Sequence, residues 1–196
     1  MREANNSSPK DRRPPSVRRC PDDEFEAILR VVNEAAAAYA GVIPKDRWHV
    51  PYMPRRELED EIAAGVVFRG IEADGALAAV MGSQDVLDVT LIRHAYVRPA
   101  FQGRGLGSAL VRSLRRRTKR PILVGTWRAA TWAIRFYEKH EFRRVPDAWN
   151  AQLLGTYWRI PRRQVETSVV LADRRWRRQG SPAVARDREP GAAPRR

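Results

Sequence analysis

From His94 to Ser108 the chain reads His94-Ala95-Tyr96-Val97-Arg98-Pro99-Ala100-Phe101-Gln102-Gly103-Arg104-Gly105-Leu106-Gly107-Ser108. An apolar extended run ends, Pro99 breaks it, and glycines at alternate positions open a helical pattern. That pattern buries Leu106, Leu110, Val111 and Leu114 on one side. Glycines let a backbone turn tightly and approach a ligand closely. A helix start presents N–H groups with no intrahelical partner. Those donors and the positive helix end make a phosphate cradle, and Arg104 adds a mobile cation. The plain alternative is a tight turn. Two nucleotide loops are excluded by spacing: the segment supplies neither Gly-x-Gly-x-x-Gly nor Gly-Lys-Ser/Thr.

The segments around this loop alternate in period. Ser16–Cys20 reads as a short strand. Phe25, Ile28, Leu29, Val32 and Ala36 recur at 3.6 spacing behind Asp22-Asp23-Glu24, a helix running to about Ala40 and stopped by Gly41. Pro54 opens a second short helix with Leu58, Ile62 and Ala63 inward, ended by Gly65. Val66–Glu72 and Ala76–Gln84 are strands joined by the hairpin turn Asp74-Gly75. Val89–Val97 is a strand, Gly103–Arg117 a helix, Pro121–Thr126 a strand, Thr131–Lys139 a helix and Phe142–Val145 a strand. A helical stretch near Ala148–Tyr157 precedes a final strand, Val165–Leu171. Strands mixed with helices in this length indicate a single α/β layer structure over residues 16–171. Residues 1–15 and 172–196 lack an apolar period and are rich in turn residues and charge, so they read as disordered tails.

Composition narrows the class. No run approaches 18 apolar residues, which excludes a transmembrane helix, and the N-terminus shows no secretory h-region. Cys20 is the one cysteine of 196 residues, so no internal disulfide forms. That suits a reducing compartment, and a soluble cytoplasmic protein is expected. His49, His94 and His140 are too scattered for a metal site, and no metal is expected. The net charge of +14 falls partly on the tails: +2 on residues 1–15 and +5 on 172–196. The run Arg112, Arg115, Arg116, Arg117, Lys119 and Arg120 reads mainly as a solvated face. No aromatics interleave it as a nucleic-acid groove would require.

Two motifs carry a family resemblance. Gln102-x-x-Gly105-x-Gly107, after a strand ending Tyr96-Val97-x-Pro99, is similar to the acetyl-CoA signature of the GNAT superfamily of N-acetyltransferases. About thirty residues on, Ala133-Ile134-Arg135-Phe136-Tyr137-Glu138-Lys139-His140-Glu141-Phe142 resembles the family's Ala-x-x-Phe-Tyr-x-x-x-Gly-Phe helix and turn. The resemblance implies one mixed, mostly antiparallel twisted sheet flanked by helices. It also implies transfer of an acetyl group from acetyl-CoA to a primary amine, expected to be that of a small molecule, by direct attack in a ternary complex. The alternative is a protein- or nucleic-acid-associated member, or a non-catalytic acyl-CoA-binding module. Two positions depart from the pattern: Ala130 stands where the family often has Asn, and Glu141 where it has the turn glycine.

By the same resemblance, Tyr96, Val97, Gln102, Gly103, Arg104, Gly105, Leu106, Gly107 and Ser108 hold the cofactor, with Ala133 and Phe136 on the later helix. The N–H of Val97 would face the thioester oxygen, and amides of the glycine loop the pyrophosphate. Tyr137 would be the general acid that protonates the leaving thiolate. The strand carries no Asp or Glu, so His94 is the titratable candidate for general base, with a structural histidine or a water relay as the alternative. The loop Val42–Pro54, with Trp48, His49, Tyr52 and Met53, offers an aromatic, half-polar lining for the acceptor. Expected partners are acetyl-CoA and an amine acceptor. Membrane is not expected, nucleic acid is disfavoured, and a homodimer is left open.

Overall fold

The computed structural model describes residues 15–178. Its strands are β1 (Arg18–Arg19), β2 (Val67–Ala73), β3 (Ala76–Val86), β4 (Val89–Val97), β5 (Ile122–Trp127), β6 (Arg143–Arg144) and β7 (Ser168–Ala172). They form one mixed, mostly antiparallel sheet in the order β1-β2-β3-β4-β5-β7-β6. The α-helices are α1 (Phe25–Ala36), α2 (Arg55–Ala63), α3 (Leu106–Arg117), α4 (Thr131–Lys139), α5 (Asp147–Tyr157), α6 (Arg162–Thr167) and α7 (Arg174–Arg178). Two compact units divide these elements. The first holds residues up to 85 together with Ile92–Lys119, and the second Val86–Leu91 together with residues from 120 on. β4 runs through both.

In the first unit, α1 buries Ile28, Val31, Val32, Ala35 and Ala36, the stripe its 3.6 spacing dictates. They pack with Cys20, Met53, Leu58, Phe68 and Val80. The β2–β3 hairpin turns at Asp74 and Gly75, both with left-handed φ (52° and 75°), as the Asp-Gly pair predicts. α2 departs from expectation. Leu58 is buried, but Ile62 and Ala63 lie exposed. A nine-residue helix rich in charge has one apolar anchor, and the rest of its inward face is filled by Glu61.

In the second unit β5 and β7 pair antiparallel, with Val170 opposite Gly125. A Cβ on that glycine would stand 3.4 Å from Trp158 Cε2, so the indole fits over it in ordinary contact. Buried Asn150 joins α5 to β7, donating to Ser168 O at 2.9 Å and accepting from Val170 N at 2.7 Å. The expected strand Val165–Leu171 is helical as far as Thr167, because Pro161 sets an extended N-cap and Arg162 pairs with Glu166 one turn on. Order also continues past residue 171. Buried Asp173 accepts from the backbone N–H groups of Ile122, Arg175 and Trp176, which starts α7, and Trp176 is buried. The rest of the expected C-terminal tail, from 179, lies outside the described residues, as do 1–14 of the N-terminal one.

Candidate functional site

The glycine loop sits at the start of α3 in the first unit. Gly105 is the N-cap with φ 78° and no side-chain cap, and Gly103 has φ 75°. Those two left-handed residues delay the helix to Leu106, three residues after the expected start. No atom lies within 4 Å of where a Cβ would stand at either glycine, so the space above the loop is open. The first α-helical bond back to the cap is Ala109 N to Gly105 O at 3.0 Å. The N–H groups of Leu106 and Gly107 therefore have no partner inside the helix. Leu106 itself is buried, so only its backbone can serve a ligand. Gln102 Nε2 donates to Val97 O at 3.3 Å and ties the loop to the end of β4. Arg104 is half-exposed, 4.9 Å above the Phe101 ring and 3.6 Å from Asp74. Two left-handed glycines, open space, a bare helix end and a tethered cation fit a pyrophosphate.

Further back on β4, His94 takes a left-handed φ of 47°, which breaks the regular alternation of the strand. Its ring stacks on Phe68, and buried Nε2 lies 3.4 Å from Glu61 Oε2 on α2. At that distance Nε2 makes no hydrogen bond. Glu61 also pairs with Arg93, which Gln84 holds at 3.1 Å. Burial pushes the Glu61 carboxyl up, but His94 and the Arg93 guanidinium outweigh it and hold the carboxyl below its ordinary value. Gly82 makes room for this corner. A Cβ there would stand 2.7 Å from Val66 Cγ1, 3.1 Å from Arg93 O and 3.3 Å from Phe68 Cε1. Sequence reasoning missed Glu61. The signal was its place three residues after the buried Leu58, on the same helix face.

The loop between α1 and α2 brings its aromatics together. Tyr52 neighbours Trp48 (5.7 Å between centroids), His49 (6.3 Å) and Tyr39 (5.9 Å), and Tyr39 meets Tyr96 of β4 edge-on at 6.4 Å. Tyr39 is an addition to the expected lining. Met53 is a correction, since it is buried in the core and faces no ligand space. The loop is pinned by Asn33, whose amide accepts from Met53 N at 2.8 Å and donates to Met53 O at 3.0 Å.

The second unit holds the later motif on α4. Tyr137 is buried, with Phe136 and Phe142 edge-on at 5.1 and 5.6 Å. Ala133 and Phe136 are half-buried. Ala130 is the N-cap of α4 and supplies no side-chain cap, the consequence of losing an amide there. Glu141 adopts φ 60°, a left-handed turn that costs a non-glycine residue roughly 1 kcal/mol. Tyr157 donates to Asp88 at 2.8 Å; burial and that carboxylate push its phenol up to about 12, so it is a fixed structural donor. Among the described residues no group of His, Cys, Asp and Glu could hold a metal ion, and no helix is long and apolar enough to cross a membrane.

Residues 58–144 match the family model of the acetyltransferase (GNAT) domain. No curated protein matches the chain. Solved structures share its fold at low identity. The PaiA N-acetyltransferase of Thermoplasma acidophilum, in complex with coenzyme A, has a TM-score of 0.62 at 15% identity over 81% of this chain and 97% of its own. The ribosomal-protein-S18-alanine N-acetyltransferase of Escherichia coli gives 0.56 at 18% over 81% and 92%. A GNAT-family acetyltransferase of Streptococcus agalactiae gives 0.60 at 16% over 81% and 94%.

Proposed function

The chain belongs to the GNAT superfamily of acetyltransferases, and from that premise we propose that it acetylates the primary amine of a small molecule with acetyl-CoA as donor. The observation that carries this reading is the glycine loop: Gly103 and Gly105 left-handed, α3 uncapped, the space above open. Backbone N–H groups from Gly103 to Ser108 would hold the pyrophosphate, with Arg104 turning from Asp74 toward it. Bound acetyl-CoA supplies the activated acyl group as a thioester.

The residues of this chain then have proton work to do. An amine attacks only when neutral, so a base must take its proton. His94 is the proposed base, and the Glu61 carboxylate 3.4 Å away favours the imidazolium that results. Tyr137 Oη is the proposed proton donor to the leaving sulfur. The rings of Tyr39, Trp48, Tyr52 and Tyr96 offer faces that attract an ammonium group before it is deprotonated.

The reading is tested by following free CoA release across a panel of polyamines, aromatic amines, amino acids and peptide N-termini, after a thermal-shift titration with acetyl-CoA. Expected are a saturable shift and release that depends on a small amine. Turnover confined to the peptides would overturn the small-molecule acceptor. Binding with no amine consumed would leave a binding module.

A further inference from the structure

Several arginines of the first unit pair with a carboxylate. Arg18 reaches Glu24 and Glu72, Arg55 reaches Glu26 and Glu59, Arg93 reaches Glu61, and Arg98 reaches Glu34. A second set does not follow that rule. The guanidinium groups of Arg19, Arg69, Arg112, Arg116 and Arg117 have no carboxylate partner among the described residues. Arg112 and Arg116 stand one turn apart on α3, with Arg117 beside them. Together with Ser113, Pro15 and Val17 they line a groove of about 400 Å³. Arg69 on β2 meets the positive charges of Arg117 and Arg19, and its Nε is buried without a hydrogen-bond partner. Burial first, then those like charges, hold its guanidinium below the usual value.

Like charges gathered this way destabilise a fold unless something anionic joins them. The adjoining segment 1–14 is a poor candidate, since Arg2, Lys10, Arg12 and Arg13 outnumber Glu3 and Asp11. Guanidinium forks match phosphate oxygens in bidentate pairs, and several forks around one groove suit a chain of phosphates. The volume is that of a small-ligand pocket. We propose that this groove, between α3 and the residues Pro15 and Val17 that precede β1 and distinct from the glycine loop, binds a small molecule carrying two or more linked phosphates. The site is independent of the acetyl-transfer reading.

The test is a thermal-shift and calorimetric titration of the full chain with tripolyphosphate, against NaCl at matched ionic strength. Three variants accompany it: Arg69→Gln/Arg117→Gln, Arg112→Gln/Arg116→Gln and Arg104→Gln. The expected result is a saturable rise in Tm that NaCl does not give, at least tenfold weaker in both groove variants and retained in Arg104→Gln. Without phosphate, at least one groove variant should melt no lower than the parent, because it has lost repulsion. ATP compared with tripolyphosphate identifies the source: equal binding assigns a free phosphate chain, tighter ATP a nucleotide. A shift reproduced by NaCl, kept in both groove variants, or lost only in Arg104→Gln would overturn the site. So would binding of single-stranded RNA, abolished by the groove variants, with none of tripolyphosphate.

Discussion

His94 Nε2 on β4 and Glu61 Oε2 on α2 are held 3.4 Å apart, in a corner closed by Phe68 and Arg93. A carboxylate thus reaches, from a neighbouring helix, a strand that has none of its own. If His94 takes the proton of the amine, His94→Gln should lower kcat/KM by roughly 10²–10⁴-fold with the KM for acetyl-CoA little changed. Glu61→Gln should lower kcat/KM in the same direction by a smaller factor. Activity unchanged in both variants would assign the base to water, and Glu61 would then be a structural partner of Arg93.

Gly105 caps α3 at φ 78° with open space in front of it. Gly105→Val strains the backbone by about 1–2 kcal/mol and sets a branched side chain where the phosphates would sit. The expected outcome is a modest fall in Tm and complete loss of the acetyl-CoA-dependent shift, with the circular dichroism spectrum unchanged. A full cofactor shift in this variant would remove the loop from the cofactor site.

Much of this was legible because local chemistry and tertiary structure agree. The turn at Asp74-Gly75 and the helix Thr131–Lys139 were both readable from sequence, as was the break at Pro99. The glycine loop was readable as a loop, but two left-handed glycines, Gly103 and Gly105, moved the start of its helix. Glu61 was hidden by the habit of placing apolar residues inward: on α2, Ile62 is exposed and the carboxylate takes the inner face. The helix Arg162–Thr167 was hidden by an alternating pattern, with Pro161 and the Arg162–Glu166 pair as the overlooked signals. The unpaired arginines of α3 and β2 were not legible at all. Charge counts along a chain do not show which guanidinium finds a carboxylate.

Acid should expose the Arg18–Glu24 pair. The hydrogen bond from Arg18, at 2.7 Å on one guanidinium nitrogen, holds the Glu24 carboxyl below its ordinary value, partly offset by burial. A depressed carboxyl stabilises the fold above its unfolded value near 4.5, and that stabilisation is lost as pH falls through the lower folded value. Glu24→Gln should therefore cost about 1–2 kcal/mol at pH 7, with the difference in Tm from the parent shrinking below about pH 4.5. A difference that persists at pH 3 would mean that Glu24 acts through packing.

Tyr137 is the remaining proton donor to be tested. Phe136 and Phe142 lie edge-on to its ring, so removing the hydroxyl leaves the packing in place. Tyr137→Phe should keep the unfolding free energy within about 1 kcal/mol of the parent, the net worth of one hydrogen bond. The KM for acetyl-CoA should also be little changed. If Oη protonates the departing sulfur, kcat falls by roughly 10²–10⁴-fold, and the basic limb of its pH profile flattens. A substrate with a better leaving thiol needs that proton less, so an activated acyl thioester should recover part of the rate in Tyr137→Phe and gain little in the parent. Full activity in the variant, or an equal gain for both enzymes, would reduce Tyr137 to a packing residue; the glycine loop, in the first unit, would be untouched by that result.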